Sequence, residues 1–140
     1  MALVYLLTRR DLVQIVTQNI IFKSGDDLAK FKSNDGPLHV IDWILELNEI
    51  QMDVAGFPIT ITSWFRQDNS FHNEGHAVDI RRLSTANANS PNPLTAPQVH
   101  EIEQRARARG IPISVQSRGL PSDHFHIGPI HYRGIPDVTD

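Results

Sequence analysis

A wide apolar stripe along residues 37 to 54 is the sequence feature that most restricts how this chain can fold. Apolar residues recur there at spacings of three and four, which predicts one long helix from about Pro37 to Val54, with Pro37 at its first position and Gly56 as its stop. The members of the stripe are Val40, Ile41, Ile44, Leu45 and Leu47. A helix with such a stripe needs a partner surface, so other parts of the chain must cover it.

Strand patterns follow this helix. The four predicted strands are "FPITITSW" (57–64), "HAVDIRR" (76–82), "IPISVQ" (111–116) and "HFHIGPI" (124–130). Two further helices are predicted, one at 8–19 and one that begins with a Thr95–Gln98 capping box, runs through Arg109 and ends at Gly110; residues 23–36 are predicted to be a polar connector. This order predicts an α+β fold with helices packed on a small, mostly antiparallel sheet.

Length and composition limit the classes of protein. With 140 residues, 40% hydrophobic and 21% charged, the chain is predicted to be one globular domain, with 1–36 as an N-terminal extension and 37–130 as the core that carries the motifs. The net charge of −3 and the lack of a long apolar window give no reason to expect a nucleic-acid or membrane partner, and we expect a monomer. There are no cysteines, so any metal must be held by histidines and carboxylates.

In two of the predicted strands, the periodicity places polar residues on the face opposite the apolar residues. In "HAVDIRR" the residues Val78 and Ile80 share one face and Asp79 lies on the other, whereas in "HFHI" the histidines His124 and His126 lie opposite the apolar pair. A turn at Gly75 would bring His72 back toward Asp79. His72, Asp79 and His126 can then converge as two imidazoles and one carboxylate, the ligand set of a catalytic zinc site.

The same residues carry a family resemblance. "SFHNEGHAVD" fits the pattern S-x-H-x-x-G-x-A-x-D, which resembles that of the zinc D-Ala-D-Ala carboxypeptidases and L-alanyl-D-glutamate endopeptidases of peptidoglycan. The Hedgehog signalling domain, which shares their fold, has a similar "HxEGxAVDI" run. "DHFH" resembles the family's later acid and histidine, and "ITITSWFR" resembles its "SGYR" segment.

The resemblance implies roles for residues around the three ligands. Asp123 is expected to be the general base and then the general acid, and His124 to stabilise the oxyanion. Arg66 is expected to bind a substrate carboxylate or the oxyanion, and Ser70 to contact the substrate. The pattern assigns no ligand role to Glu74 or His76.

The resemblance implies a zinc peptidase that cuts peptidoglycan stem peptides. The start of the chain, "MALVYLLTRRDL", has its apolar stretch before the arginines and does not read as a secretory signal, so such an enzyme would reach the cell wall after lysis or inside a phage particle. The alternative is a non-catalytic zinc-binding module on the same fold. A non-haem iron site with two histidines and a carboxylate is a third interpretation, but it normally needs a many-stranded barrel and a tight H-x-D pair.

Overall fold

The computed structural model describes residues 20–66, 71–82, 93–116 and 124–129. They contain strands, α-helices and one short 3-10 helix. In chain order these are β1 (Ile21–Phe22), α1 (Gly25–Lys32), α2 (Leu38–Ala55), β2 (Thr60–Ser63), the 3-10 helix (Phe71–Glu74), β3 (Val78–Arg81), α3 (Ala96–Ala108), β4 (Ile113–Gln116) and β5 (His124–Ile127). Within these ranges, no helix has the length and apolar character needed to cross a membrane.

The strands form one mixed sheet in the order β1-β2-β3-β5-β4. The edge strand β1 pairs with β2 in parallel, and the other neighbouring strands pair antiparallel. The predicted α+β fold, with helices on a small and mostly antiparallel sheet, is confirmed. The predicted helix at 8–19 lies outside the described residues.

The core lies between the sheet and the helices. Val78 and Ile80 of β3 and Phe125 and Ile127 of β5 are fully buried, and they belong to one apolar cluster with the stripe of α2 and with residues of α3. Burying a side chain of this size contributes about 1.5–3 kcal/mol. The predicted faces of both strands are therefore confirmed, and the opposite face of β3 and β5 is left for Asp79 and the histidines.

Helix α2 fixes where strand β2 begins. The helix begins at Leu38, one residue later than predicted, because Pro37 takes the N-cap position. It ends at Ala55, with Gly56 as a left-handed C-cap at a φ of 80°. Two of its buried polar side chains then hold the chain that leaves it. Asn48 Oδ1 accepts the Ile59 N–H at 3.0 Å, and Gln51 Nε2 donates to the carbonyl of residue 58 at 2.9 Å. These bonds direct the chain into β2.

The prediction of a polar connector at 23–36 is wrong, because residues 25–32 form α1. Ser24 caps the helix by accepting the backbone N–H of Asp27. Two acidic residues lie in the first turn, where their negative charge interacts favourably with the helix dipole. Phe31 is fully buried and packs edge-on against Trp64. The helix is short and mostly polar, and these few interactions are what order it.

Helix α3 begins as predicted. Thr95 and Gln98 form the full capping box, with each side chain accepting the other residue's backbone N–H. The helix ends at Ala108, and Gly110 follows with a φ of 80°. The ion pair between Arg105 and Asp53 joins α3 to α2 on the surface.

Candidate metal centre

Two of the predicted ligands are brought together by strand register. In the antiparallel pair of β3 and β5, Asp79 lies directly opposite His126, and the two side chains point to the same face of the sheet. Asp79 Oδ1 lies 3.1 Å from His126 Nδ1. Because the register is fixed by the buried apolar residues on the other face, the pairing follows from the core.

The third predicted ligand comes from the 3-10 helix that precedes β3. The backbone N–H groups of Gly75 and His76 donate to the carbonyls of His72 and Phe71, and this tight turn returns the chain toward the sheet. Gly75 has a φ of +75°, and a Cβ there would lie 2.5 Å from the ring of Phe65. The turn places His72 Nε2 at 3.4 Å from Asp79 Oδ1.

Each histidine is oriented by a backbone carbonyl on the far side of its ring. His72 Nδ1 lies 3.2 Å from the Trp64 carbonyl, and His126 Nε2 lies 3.0 Å from the Pro129 carbonyl. A carbonyl oxygen only accepts, so these outer nitrogens carry the protons. In the neutral imidazoles, the lone pairs are then on His72 Nε2 and His126 Nδ1, which both face Asp79. Metal-binding histidines are held in this way.

The resulting donor set fits zinc. One ligand atom each from His72, Asp79 and His126 lies within 4.8 Å of the others. Among the residues that the structure describes, these three form the one group of side chains that could hold a metal ion. Both histidine side chains are fully buried and that of Asp79 is 15% exposed. Two imidazole nitrogens and a carboxylate oxygen are ligands that Zn²⁺ accepts, and zinc with three protein ligands takes water or substrate as its fourth.

The carboxylate of Asp79 is held in its charged form. Burial opposes the charge and by itself would raise the pKa of Asp79. The hydrogen bonds that His126 and His72 donate when they are protonated, and the positive charge that His72 and His124 then carry, outweigh burial and hold the pKa well below its ordinary value.

Arg66 lies at the site, where its side chain contacts the predicted ligand Asp79. Its guanidinium is 3.2 Å from Asp79 Oδ2 and 3.3 Å from the hydroxyl of Ser63, and the side chain is 38% exposed. Asp79 therefore has Arg66 on one oxygen and the histidines on the other. The expected contact of Arg66 with substrate stays a prediction.

The remaining predicted residues fall into two groups. His124 is on the site face, as predicted, with Nε2 at 3.6 Å from Asp79 Oδ1. Asp123 and Ser70 lie outside the described residues. Glu74 and His76, to which the motif gives no ligand role, form a surface pair with each other at 3.6 Å.

Sequence reasoning missed the residues that support the ligands. Trp64 supplies the carbonyl that orients His72, and its indole N–H donates to the Gly75 carbonyl at 2.8 Å. Buried Asp27 accepts the backbone N–H groups of Trp64 and Phe65 at 3.1 and 3.2 Å. A tryptophan at the end of a strand and the Ser24-x-x-Asp27 spacing of a helix cap were the available signals.

Comparison of the chain with models of protein families, with curated proteins and with solved structures finds no match. The resemblance to the zinc peptidases of peptidoglycan thus depends on the motif residues alone.

Proposed function

We propose that this chain is a zinc-dependent peptidase that hydrolyses a peptide bond in the stem peptides of peptidoglycan. The observation that carries the proposal is the orientation of the two histidines: each donates its outer N–H to a backbone carbonyl, and each directs its inner nitrogen at Asp79 Oδ1. This arrangement supports metal binding. The S-x-H-x-x-G-x-A-x-D pattern and the later D-x-x-H point to the reaction and to the substrate class.

In this proposal His72, Asp79 and His126 hold the ion. Bound zinc supplies Lewis acidity, which polarises a carbonyl and lowers the pKa of water. Asp123 removes the proton from the attacking water and delivers it to the leaving amine. His124 lies on the same face as His126, where its N–H can donate to the developing oxyanion.

A second candidate function is favoured by burial. The side chains of His72 and His126 are fully buried and that of Asp79 is 15% exposed, so little of the ligand set is open to solvent, whereas a catalytic site must admit water and substrate. A non-catalytic zinc-binding module with the same three ligands would have no need of Asp123. Both candidates bind zinc, so only activity separates them.

The test is mass spectrometry of purified peptidoglycan fragments incubated with the zinc-loaded chain. Hydrolysis gives two products whose masses sum to the substrate plus one water, and their masses identify the bond as D-Ala-D-Ala or L-Ala-D-Glu. The His126→Ala variant is the control, because it removes one ligand. Zinc binding without any cleavage would reject the peptidase and leave the non-catalytic module.

A further inference from the structure

The two carboxylate oxygens of Asp79 have separate partners. Oδ1 faces the inner nitrogens of His72 and His126 at 3.4 and 3.1 Å. Oδ2 accepts a hydrogen bond from the Arg66 guanidinium at 3.2 Å. A carboxylate can bind a metal through one oxygen or through both, and the number of oxygens used decides how many positions are left for other ligands.

Arg66 is itself held in place. Its guanidinium also donates to the Ser63 hydroxyl at 3.3 Å, and Ser63 lies opposite Asp79 across β2 and β3. Its backbone N–H donates to the His72 carbonyl at 3.3 Å. The preceding backbone is anchored by the buried carboxylate of Asp27. Arg66 is therefore hydrogen-bonded through its backbone to His72 and through its side chain to Asp79.

We infer that Arg66 is a positioning residue that keeps Asp79 a one-oxygen metal ligand by binding its second oxygen. This inference rests on the proposed metal centre. With Oδ2 bound to the guanidinium, only Oδ1 is directed at the ion, so three protein atoms hold it and further positions stay open for water and substrate. Without Arg66, both oxygens can turn to the ion and fill an open position.

Charge and positioning predict opposite changes in zinc affinity. Loss of a cation so close to the site would, by charge alone, strengthen the binding of Zn²⁺. Loss of a partner that orients a ligand weakens metal binding, typically by about 10- to 100-fold. A residue that binds only substrate would leave the metal unaffected or more tightly bound, and its loss would raise KM.

The experiment uses the full chain and its Arg66→Gln and Arg66→Lys variants. Zinc affinity is measured by competition with a chelator, and the coordination number is read from the visible spectrum of the Co²⁺-substituted protein. Arg109→Gln is the matched control: Arg109 is 41% exposed and pairs with Glu49 on α2, so it loses the same charge from a similar surface position. Circular dichroism in the presence of chelator checks that each variant is folded.

We expect Arg66→Gln to bind zinc about 10- to 100-fold more weakly, with loss of intensity in the Co²⁺ spectrum as the coordination number rises. Arg66→Lys keeps a cation near Oδ2 and should recover part of the zinc affinity and part of the intensity of the Co²⁺ spectrum. Arg109→Gln should match the unmodified chain in both. Equal or tighter zinc binding in Arg66→Gln, with an unchanged spectrum, would overturn the inference and leave the metal centre intact. Failure of the unmodified chain to bind zinc would reject the metal centre and the inference together.

Discussion

Asp79 and His126 lie directly opposite each other on neighbouring antiparallel strands, with Asp79 Oδ1 3.1 Å from His126 Nδ1. The residues that flank them, Val78, Ile80 and Phe125, are fully buried on the other face of the sheet. A shift of one residue in either strand would expose the core and separate the two ligands. Packing of the core and assembly of the candidate site are thus set by the same register.

The turn at Gly75 gives a first prediction. Gly75→Ala forces a side chain into a left-handed backbone and toward the Phe65 ring, so it should lower the free energy of unfolding by about 1–3 kcal/mol and weaken zinc binding. Gly110→Ala is the control, since Gly110 has a similar φ of +80° with no atom near the added Cβ. Urea unfolding and zinc titration measure both. Equal effects of the two substitutions would contradict a role for the turn in placing His72.

The support given by α1 leads to a second prediction. Asp27→Ala leaves the buried backbone N–H of Trp64 and the partly buried one of Phe65 without their acceptor, at a cost of about 1–3 kcal/mol for the buried group alone. Because Trp64 orients His72, zinc affinity should fall as well, although Asp27 is not a ligand. Asp26→Ala removes an exposed carboxylate one residue away, so it should lower the free energy of unfolding by less than about 1 kcal/mol, through the helix dipole alone, and leave zinc affinity unchanged. Unchanged zinc affinity in folded Asp27→Ala would show that the hydrogen bonds of Asp27 to the backbone of Trp64 and Phe65 do not affect the metal site.

How much the sequence could predict depended on the range of the interactions. The strands β3 and β5, the helices α2 and α3 and the convergence of the three ligands all followed from periodicity and spacing. Helix α1 did not, because it is short and mostly polar, and it is ordered by the burial of Phe31 and the bonds of Asp27, which come from segments far along the chain. Strand β1 is two residues long and exists only through its pairing with β2.

The pairing of Arg66 with Asp79 could not be predicted from the sequence either. Pattern matching gave Arg66 a role toward substrate, since a pattern records residue types and order. The conformation of residues 64 to 66, set by Asp27 and by the Trp64 indole, decides where the guanidinium lies. The orienting carbonyls of Trp64 and Pro129 leave no trace in the sequence at all, because every residue has a carbonyl.

A third prediction concerns the pH dependence of stability in the metal-free chain. The folded protein holds the pKa of Asp79 below its ordinary value, so the charged carboxylate stabilises the fold above the unfolded pKa, about 4. That stabilisation is lost as the pH falls below this value. The difference in the free energy of unfolding between the unmodified chain and Asp79→Asn should therefore be larger at about pH 6 than at about pH 3, by about 1 kcal/mol. Urea unfolding at both pH values measures it, and a difference that does not change with pH would contradict the proposed ion pairing.

A fourth prediction tests Asp123 as the proposed acid–base residue of the peptidase. Asp123→Ala should keep the zinc affinity of the unmodified chain and lose cleavage of peptidoglycan fragments, because the proposed acid–base group acts on water and the leaving amine and is not a ligand. Zinc titration and mass spectrometry of the same preparation measure the two properties. Unchanged cleavage would remove Asp123 from the mechanism and leave the choice of ligands untouched.

The metal centre itself is tested most directly by the zinc content of the purified chain and of two histidine variants, measured after dialysis by elemental mass spectrometry. His126→Ala removes a buried ligand, whereas His76→Ala removes a histidine that lies only four residues from His72 and pairs with Glu74 on the surface. We predict one zinc per chain in the unmodified protein and in His76→Ala, and none in His126→Ala. Zinc that stays bound in His126→Ala, or that is absent from the unmodified chain, would contradict the account.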